Sequence, residues 1–344
     1  VRGYFLKRIA LLFLTLWGIS MVSFAMLQLT PGSPIEMKLM QDESGAVGEK
    51  SQLTEEAIRR LKEQYNLDKP IHERYILWVG DLLRFDFGTS FTDDRPVIDK
   101  IWEALPISLV FGLSGILTAL LIGIPLGLLS ARFAGRYLDR GIAFVCIVFF
   151  SMPSYVLGLL LLTYLGAQWD WLPIYGVKSD NYEQLGFFAQ IMDRIHHFVL
   201  PCICYSIGGL AFITQQQRNS ILEALSQDYI RTARAKGLSE ATVFLKHAFR
   251  NSLIPIMTIV GAMIPGILGS SVIIERLFSI PGLGFLSLEA LFARDYPTIM
   301  AVFTIGSLLS LVGIFLSDLF YVLVDPRISF SGESRAGLSK ENSK

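Results

Sequence analysis

The sequence predicts an all-α integral membrane protein with six transmembrane helices and both termini in the cytoplasm. Two observations carry this expectation. First, 52% of the 344 residues are hydrophobic and the mean hydropathy is +0.49, more than soluble domains carry. Six stretches, 9–29, 104–131, 141–169, 195–217, 251–274 and 296–317, each run for at least 21 residues without Asp, Glu, Lys or Arg. At 1.5 Å per residue, each can cross a hydrocarbon core of ~30 Å. A transmembrane barrel would instead show alternating ~10-residue segments. Second, the charge is unevenly placed although the net charge is zero. In a six-span arrangement, the side holding both termini carries 16 Lys and Arg in 2–8, 131–140, 217–250 and the tail. The short segments on the other side carry only Lys178, Arg194, Arg276 and Arg294. Long loops such as 30–103 do not count toward this bias, so the basic side is cytoplasmic.

Residues 1–29 form the first span. Arg2, Lys7 and Arg8 give it a basic start like that of a signal peptide. Its apolar run is longer than a signal core and has no clear small-residue cleavage site, so it reads as a retained helix. Residues 30–103 form the one sizeable extracytoplasmic region. Thr30-Pro31-Gly32-Ser33-Pro34 stops span one. A helix is expected from Thr54-Glu55-Glu56-Ala57, with Ala57, Ile58, Leu61 and Tyr65 at helical spacing. After a turn over Asn66 to Pro70, Ile71 to Leu83 reads as an amphipathic helix carrying Tyr75, Trp78 and Leu82, broken by Phe85-Asp86-Phe87-Gly88. The region is too short and polar for an independent domain and is expected to pack over the outer mouth of a pore.

Residues 104–324 hold the other five spans and a cytoplasmic loop, 217–250; residues 325–344 are a cytoplasmic tail. Gly112, Gly115, Gly123 and Gly127 mark span two, with Pro125 inside it. Gly261, Pro265, Gly266 and Gly269 mark span five. Small residues let backbones approach closely. Two readings stand: tight bundle packing, or two spans that line a path and flex. Cys146, Cys202 and Cys204 fall in spans and read as buried apolar groups rather than as a metal or redox pair. His196 and His197 sit at the outer end of span four, at the interface. Asp318, near the cytoplasmic end of span six, reads as a snorkelling or paired structural aspartate.

There is no G-x-x-x-x-G-K-[ST] loop, no H-E-x-x-H helix and no G-x-S-x-G elbow. The chain therefore offers no nucleotide-binding loop of that type, no intramembrane protease motif and no catalytic residue. No relay of ionisable residues crosses the spans, so a proton-coupled carrier is disfavoured. What remains is 228–247, DYIRTARAKGLSEATVFLKH. Asp228 is expected to cap a short helix. Ala233 and Ala235 keep that helix slim, and Gly237 ends it. Ser239 and Glu240 start the next. Arg231, Arg234 and Lys236 present charge to an acidic partner or to lipid head groups. From the residues alone this segment is equally an ordinary basic loop or a docking helix.

The run Asp228, Tyr229, Ile230, Arg231, Thr232, Ala233, Arg234, Ala235, Lys236, Gly237 contains a stretch, from Tyr229 onward, that resembles the coupling loop of binding-protein-dependent ABC importer permeases. It is most similar to the first permease subunit of the dipeptide/oligopeptide/nickel branch. The resemblance covers nearly the whole chain. It includes Leu29 to Pro34, Tyr65 to Pro70 with Arg74-Tyr75, Phe87-Gly88-Thr89-Ser90, Ser151-Met152-Pro153-Ser154, Ile280-Pro281-Gly282-Leu283-Gly284, Arg294-Asp295-Tyr296-Pro297 and Asp325-Pro326-Arg327. The sequence departs from the general motif where Glu-Ala-Ala is replaced by Arg231-Thr232-Ala233, and again at His247-Ala248-Phe249-Arg250. The resemblance implies a type I ABC importer permease fold in the cytoplasmic (inner) membrane and no catalysis by this chain. It implies a heterodimer with a second homologous permease, two ATPase subunits that bind ATP and Mg, an extracytoplasmic solute-binding protein, and no nucleic acid. It implies that Asp228 to Gly237 form the ATPase-coupling loop, while leaving the substrate-contacting residues unassigned. Di- and oligopeptides are the implied substrates; the alternatives are nickel chelates, glutathione, sugars or peptide-like antibiotics, or a membrane scaffold without transport.

Overall fold

The computed structural model describes residues 2–29, 69–268 and 272–324. The expectations for 30–68, including the helix from Thr54, and for the tail 325–344 lie outside the described residues. Within them the chain is helical: α1 (Arg2–Leu29), α2 (Ile71–Leu83), α3 (Val97–Arg132) and α4 (Tyr137–Ser151) come first. Then follow α5 (Ser154–Gln168), α6 (Phe187–Leu225) and α7 (Asp228–Ala235). Helix α8 begins at Glu240 and ends at Leu268, and α9 (Val272–Leu277), α10 (Leu283–Ala293) and α11 (Tyr296–Val324) complete the order. Among the described residues the one strand-type pairing is an isolated bridge between Thr89 and Pro96. Four helices, α3, α6, α8 and α11, are long and apolar enough to cross a membrane, and α4 with α5 make a fifth if they count as one. Helix α1 carries a shorter apolar run, Ala10–Ala25.

The helices differ from the charge-free runs in two instructive ways. Span two extends to 36 residues and span four to 39, because charged residues at the ends continue the helix beyond the apolar core. The run 141–169 is not one straight helix. It breaks at Met152 and Pro153, and α5 leaves α4 at 99°. Proline lacks the amide that would continue the ladder, and the residue before it is pushed out of the helical region. Met152 accordingly has ψ 125° and Pro153 ψ 134°. Span five is described as helix to Leu268, and helix α9 is described from Val272.

The centre of the fold is the α3–α6 seam. Gly115, Ala119, Gly123 and Gly127 are buried along one face of α3. A Cβ on Gly123 would lie 3.1 Å from the Leu210 carbonyl oxygen, and one on Gly127 would lie 2.7 Å from that of Thr214. The register rises together on both helices, so α3 and α6 run parallel with backbones nearly touching. Of the two readings of the glycine stripe in span two, this geometry is close packing.

At one end of the bundle, buried carboxylates fasten loops to helices. Asp295 accepts from Ser90 Oγ (2.5 Å), the Phe91 amide (3.0 Å) and Thr298 Oγ1 (2.7 Å). It thereby caps α11 and bolts the 87–96 loop onto it. Glu275, fully buried, accepts from Ser108 Oγ and the Phe285 amide, both at 2.9 Å, joining α3 to the start of α10. At α1, Ser20 Oγ lies 2.8 Å from Tyr75 Oη, and Phe24 stacks edge-on to Tyr75, which docks α2. The cysteines are free, and no group of three or more His, Cys, Asp and Glu able to hold a metal exists among the described residues. His197 is buried, with Nδ1 2.9 Å from the Asp193 carbonyl oxygen, while His196 is exposed.

The Asp295 bolt is testable. Asp295→Ala strands three buried donors and is expected to cost on the order of 3 kcal/mol, read as a lower melting point in detergent. Asp295→Asn should cost less, because hydroxyls can rotate to accept from the new amide. Parent-like melting of the alanine variant would refute the bolt.

Candidate functional site

Helix α7 is polar in composition, and eight residues are too few to hold a helix unaided. Its stability comes from two inward residues one turn apart. Ile230 is fully buried and Ala233 nearly so, packed on Ala224 and Leu225 at the end of α6 and on Val243 and Ala248 of α8. Everything else on α7 faces out: Asp228, Tyr229, Arg231, Thr232, Arg234 and Ala235 are exposed, as are Lys236 and Gly237 beyond it.

Asp228 does not cap α7. Gln227 occupies the N-cap position without a side-chain bond, and Asp228 is the first helical residue, its carboxylate 3.3 Å from Arg231 Nη1. An acid there still favours the positive end of the helix. Gly237 ends α7 as expected, at φ +77°. The Gly237 amide donates to the Arg234 carbonyl (2.9 Å) and the Leu238 amide to that of Ala233 (3.4 Å), the paired bonds of a Schellman motif. Ser239 then caps α8 by accepting from the Thr242 amide at 3.3 Å.

The cations are also partly spoken for. Arg234 grips Glu240 with two bonds, Nε to Oε1 at 2.9 Å and Nη2 to Oε2 at 3.2 Å, which clamps the turn between α7 and α8. Both partners are about half exposed, so the clamp contributes little stability; its effect is on geometry. The Thr232 hydroxyl bonds back to the Asp228 carbonyl (3.1 Å). The outward surface is thus a short helix bearing Tyr229, Arg231, Ala235 and Lys236 around one small residue, on a rigid turn.

Sequence reasoning missed three contributors. Ile230 was the legible one: a lone aliphatic residue in a polar helix, three before Ala233, is an anchor at helical spacing. Glu240 was read only as a helix start. The third lies outside the α7 surface and its seat: the pair Asp139 and Arg218. Asp139 opens α4 after the turn that follows α3, and Arg218 lies near the end of α6. Arg218 meets it with two bonds, at 2.6 and 2.8 Å. Residues 79 apart leave no local trace of such a contact.

The chain is similar to known proteins over nearly its whole length. Residues 123–330 match the family described as binding-protein-dependent transport system inner membrane component. The oligopeptide transport system permease protein AppB of Bacillus subtilis is 38% identical over 331 residues, 96% of this chain and 100% of that protein. The dipeptide transport system permease protein DppB of Lactococcus lactis is 38% identical over 326 residues, 94% of this chain and 98% of that protein. The peptidoglycan transport system permease protein YejB of Agrobacterium fabrum is 36% identical over 357 residues, 95% of this chain and 98% of that protein.

Proposed function

We propose, from the premise that this chain belongs to the family of binding-protein-dependent transport system inner membrane components, that it is the permease subunit of an ATP-driven importer of di- and oligopeptides. The chain is a membrane component that forms a conduit and leaves ATP hydrolysis to others. Its partners in this reading are a second, homologous permease, two ATPase subunits carrying ATP and Mg, and an extracytoplasmic solute-binding protein. All six apolar runs span the membrane and both termini are cytoplasmic. That orientation puts the basic 217–250 loop and α7 on the ATPase side. Nickel chelates, glutathione and peptide-like antibiotics are the alternative cargoes for the same permease role.

The observation that carries the reading is the two-faced character of α7. Ile230 and Ala233 fix it to α6 and α8, while Tyr229, Arg231, Ala235 and Lys236 are held outward on a capped turn. A protrusion so held moves with the bundle when a partner pulls on it. Its exposed cations suit a groove rimmed by acidic residues.

The test is reconstitution with the sister permease, the ATPases and the binding protein, followed by measurement of ATP-dependent peptide uptake. Arg231→Glu is expected to weaken ATPase association and to make it more sensitive to salt, since the contact is exposed and screened. Pull-down that matches the parent at every salt concentration would sink the assignment of α7. Uptake of nickel chelates or glutathione in preference to peptides would move the substrate and leave the permease role intact.

A further inference from the structure

We infer that the Asp139–Arg218 pair is a positioning strut: it carries displacement of α7 into the bent α4–α5 segment. The inference rests on α7 being the ATPase contact.

Three features of the fold support it. Asp139 is almost wholly buried and its carboxylate collects four donors. Arg218 Nε reaches Oδ1 at 2.6 Å and Nη2 reaches Oδ2 at 2.8 Å, Ser130 Oγ donates to Oδ1 at 2.6 Å, and the Gly135 amide donates to Oδ2 at 2.8 Å. These donors come from the end of α3, the turn after it, and α6. One side chain therefore ties three segments at a single point. A two-pronged guanidinium–carboxylate contact also fixes orientation as well as distance.

The second feature is the exposure of α4. Over its 15 residues only Asp139 and Cys146 are buried. Phe144, Ile147 and Phe150 face outward. Helix α3 is joined to α6 by the glycine seam, so it follows α6 without help. Helix α4 has no such seam; it lies against α6 and α3, and its head carries the charged tie to α6.

The third feature is the continuity of the path. The residue before Arg218 on α6, Gln217, is fully buried, and its amide donates to Ser252 Oγ of α8 at 2.7 Å. Adjacent side chains of α6 thus fasten it to α8 and to α4. Helix α7 is seated on the next turns of α6, through Ala224, and on the start of α8. A pull on α7 reaches α6 and α8 together, and Arg218 is the charged contact that passes it to α4. Beyond the break at Pro153, α5 packs Gly158 against Leu277 of α9 and Cys204 of α6, so motion of α4 would reach the opposite end of the bundle.

A buried ion pair need not stabilise a fold, and a merely structural pair would lower all activities together. The strut makes a different demand, which the complete complex in lipid nanodiscs and proteoliposomes can answer. Asp139→Asn is expected to assemble with the ATPases and to hydrolyse ATP at near the parent rate, while peptide taken up per ATP falls roughly tenfold. Encoded nitroxide amino acids at positions 137 and 223 supply the second readout. Their separation should be insensitive to ATP in the parent and should broaden with ATP in Asp139→Asn. Arg218→Lys keeps the charge without the fork and is expected to uncouple by a smaller factor; should Asp139→Asn fail to assemble, this variant decides. Uptake and hydrolysis that fall in proportion with an unaltered 137–223 distance, or parent coupling in Arg218→Lys, would overturn the strut. Failure of the α7 assignment is seen separately, as unchanged ATPase binding by Arg231→Glu.

Discussion

Gly127→Val leaves no folded, transport-competent protein, and Gly127→Ala leaves a badly destabilised one. The reason is the α3–α6 seam. A Cβ at Gly127 would sit 2.7 Å from both the Thr214 carbonyl oxygen and Gln217 Cβ. One of these is backbone and the other is the root of a side chain, so neither can swing aside. Relief requires the helices to part, and parting them strips contacts along the whole stripe. Overpacking of this kind costs roughly 1–3 kcal/mol for one or two methyl groups where neighbours can adjust; where backbone is the obstacle, the upper end or more is expected. The same seam predicts a gradient. At Gly123 the nearest atoms are Ile213 Cγ2 at 3.0 Å and the Leu210 carbonyl oxygen at 3.1 Å, and at Gly115 the nearest is Tyr205 Cβ at 3.0 Å with no backbone atom closer than 3.6 Å. Alanine should therefore hurt most at 127, less at 123 and least at 115. Melting points of the three purified variants in one detergent check the order. A melting point for Gly127→Ala equal to or above that of Gly115→Ala would show that the helices slide apart freely, and the close-packed reading of the stripe would fail.

What was legible in the sequence, and what was not, follows from how far each signal reaches along the chain. Charge-free runs located the long apolar helices because burial in lipid is a property of each segment alone. They could not show that 141–169 bends by 99° at its middle, since hydropathy has no direction. Proline did not single out the break either: Pro106, Pro125, Pro201, Pro255 and Pro265 all lie inside continuous helices. Pro153 differs in that its predecessor, Met152, also adopts extended geometry. In α7 the glycine stop and the Ser239 start were readable because caps are local chemistry. The Asp228 cap was misplaced by one residue, a shift that turns a capping side chain into an exposed one.

The carboxylates were beyond sequence reading for a different reason. Asp139, Glu275 and Asp295 bond partners 79, 167 and 205 positions away, and periodicity holds no record of such contacts. In the motif runs Phe87 to Ser90, Ile280 to Gly284 and Arg294 to Pro297, the family resemblance had marked the right stretches without a physical cause. The structure supplies one for each. Ser90 is bonded to Asp295, and the backbone at Gly282 is pressed so close to Glu275 and Ser108 that a Cβ would lie 2.6 Å from the carboxylate and 2.5 Å from the hydroxyl. These motifs are fasteners between distant segments.

Gly237→Val abolishes coupled uptake while the protein remains in the membrane at parent levels. The turn at Gly237 requires φ +77°, a left-handed conformation that sets Cβ against the carbonyl and costs an L-residue roughly 1–2 kcal/mol, more with a branched side chain. No atom lies within 4 Å of where the Cβ would be, so the penalty is entirely in the backbone. The turn escapes it by giving up the Gly237–Arg234 and Leu238–Ala233 bonds, which frees the last turn of an eight-residue helix. Arg234 then loses its alignment with Glu240, and Arg231 and Tyr229 lose a fixed direction. The bundle below is untouched, because Gly237 is exposed and its neighbours in the core are not displaced; hence the expectation of normal membrane content. Asparagine tolerates the left-handed region far better than valine, so Gly237→Asn should keep most of the uptake. Uptake in vesicles, normalised to the amount of permease present, separates the possibilities. Parent uptake by the valine variant would remove the turn from the mechanism. Equal loss in both variants would mean that the side chain obstructs a partner's surface, and the argument from backbone conformation would be wrong.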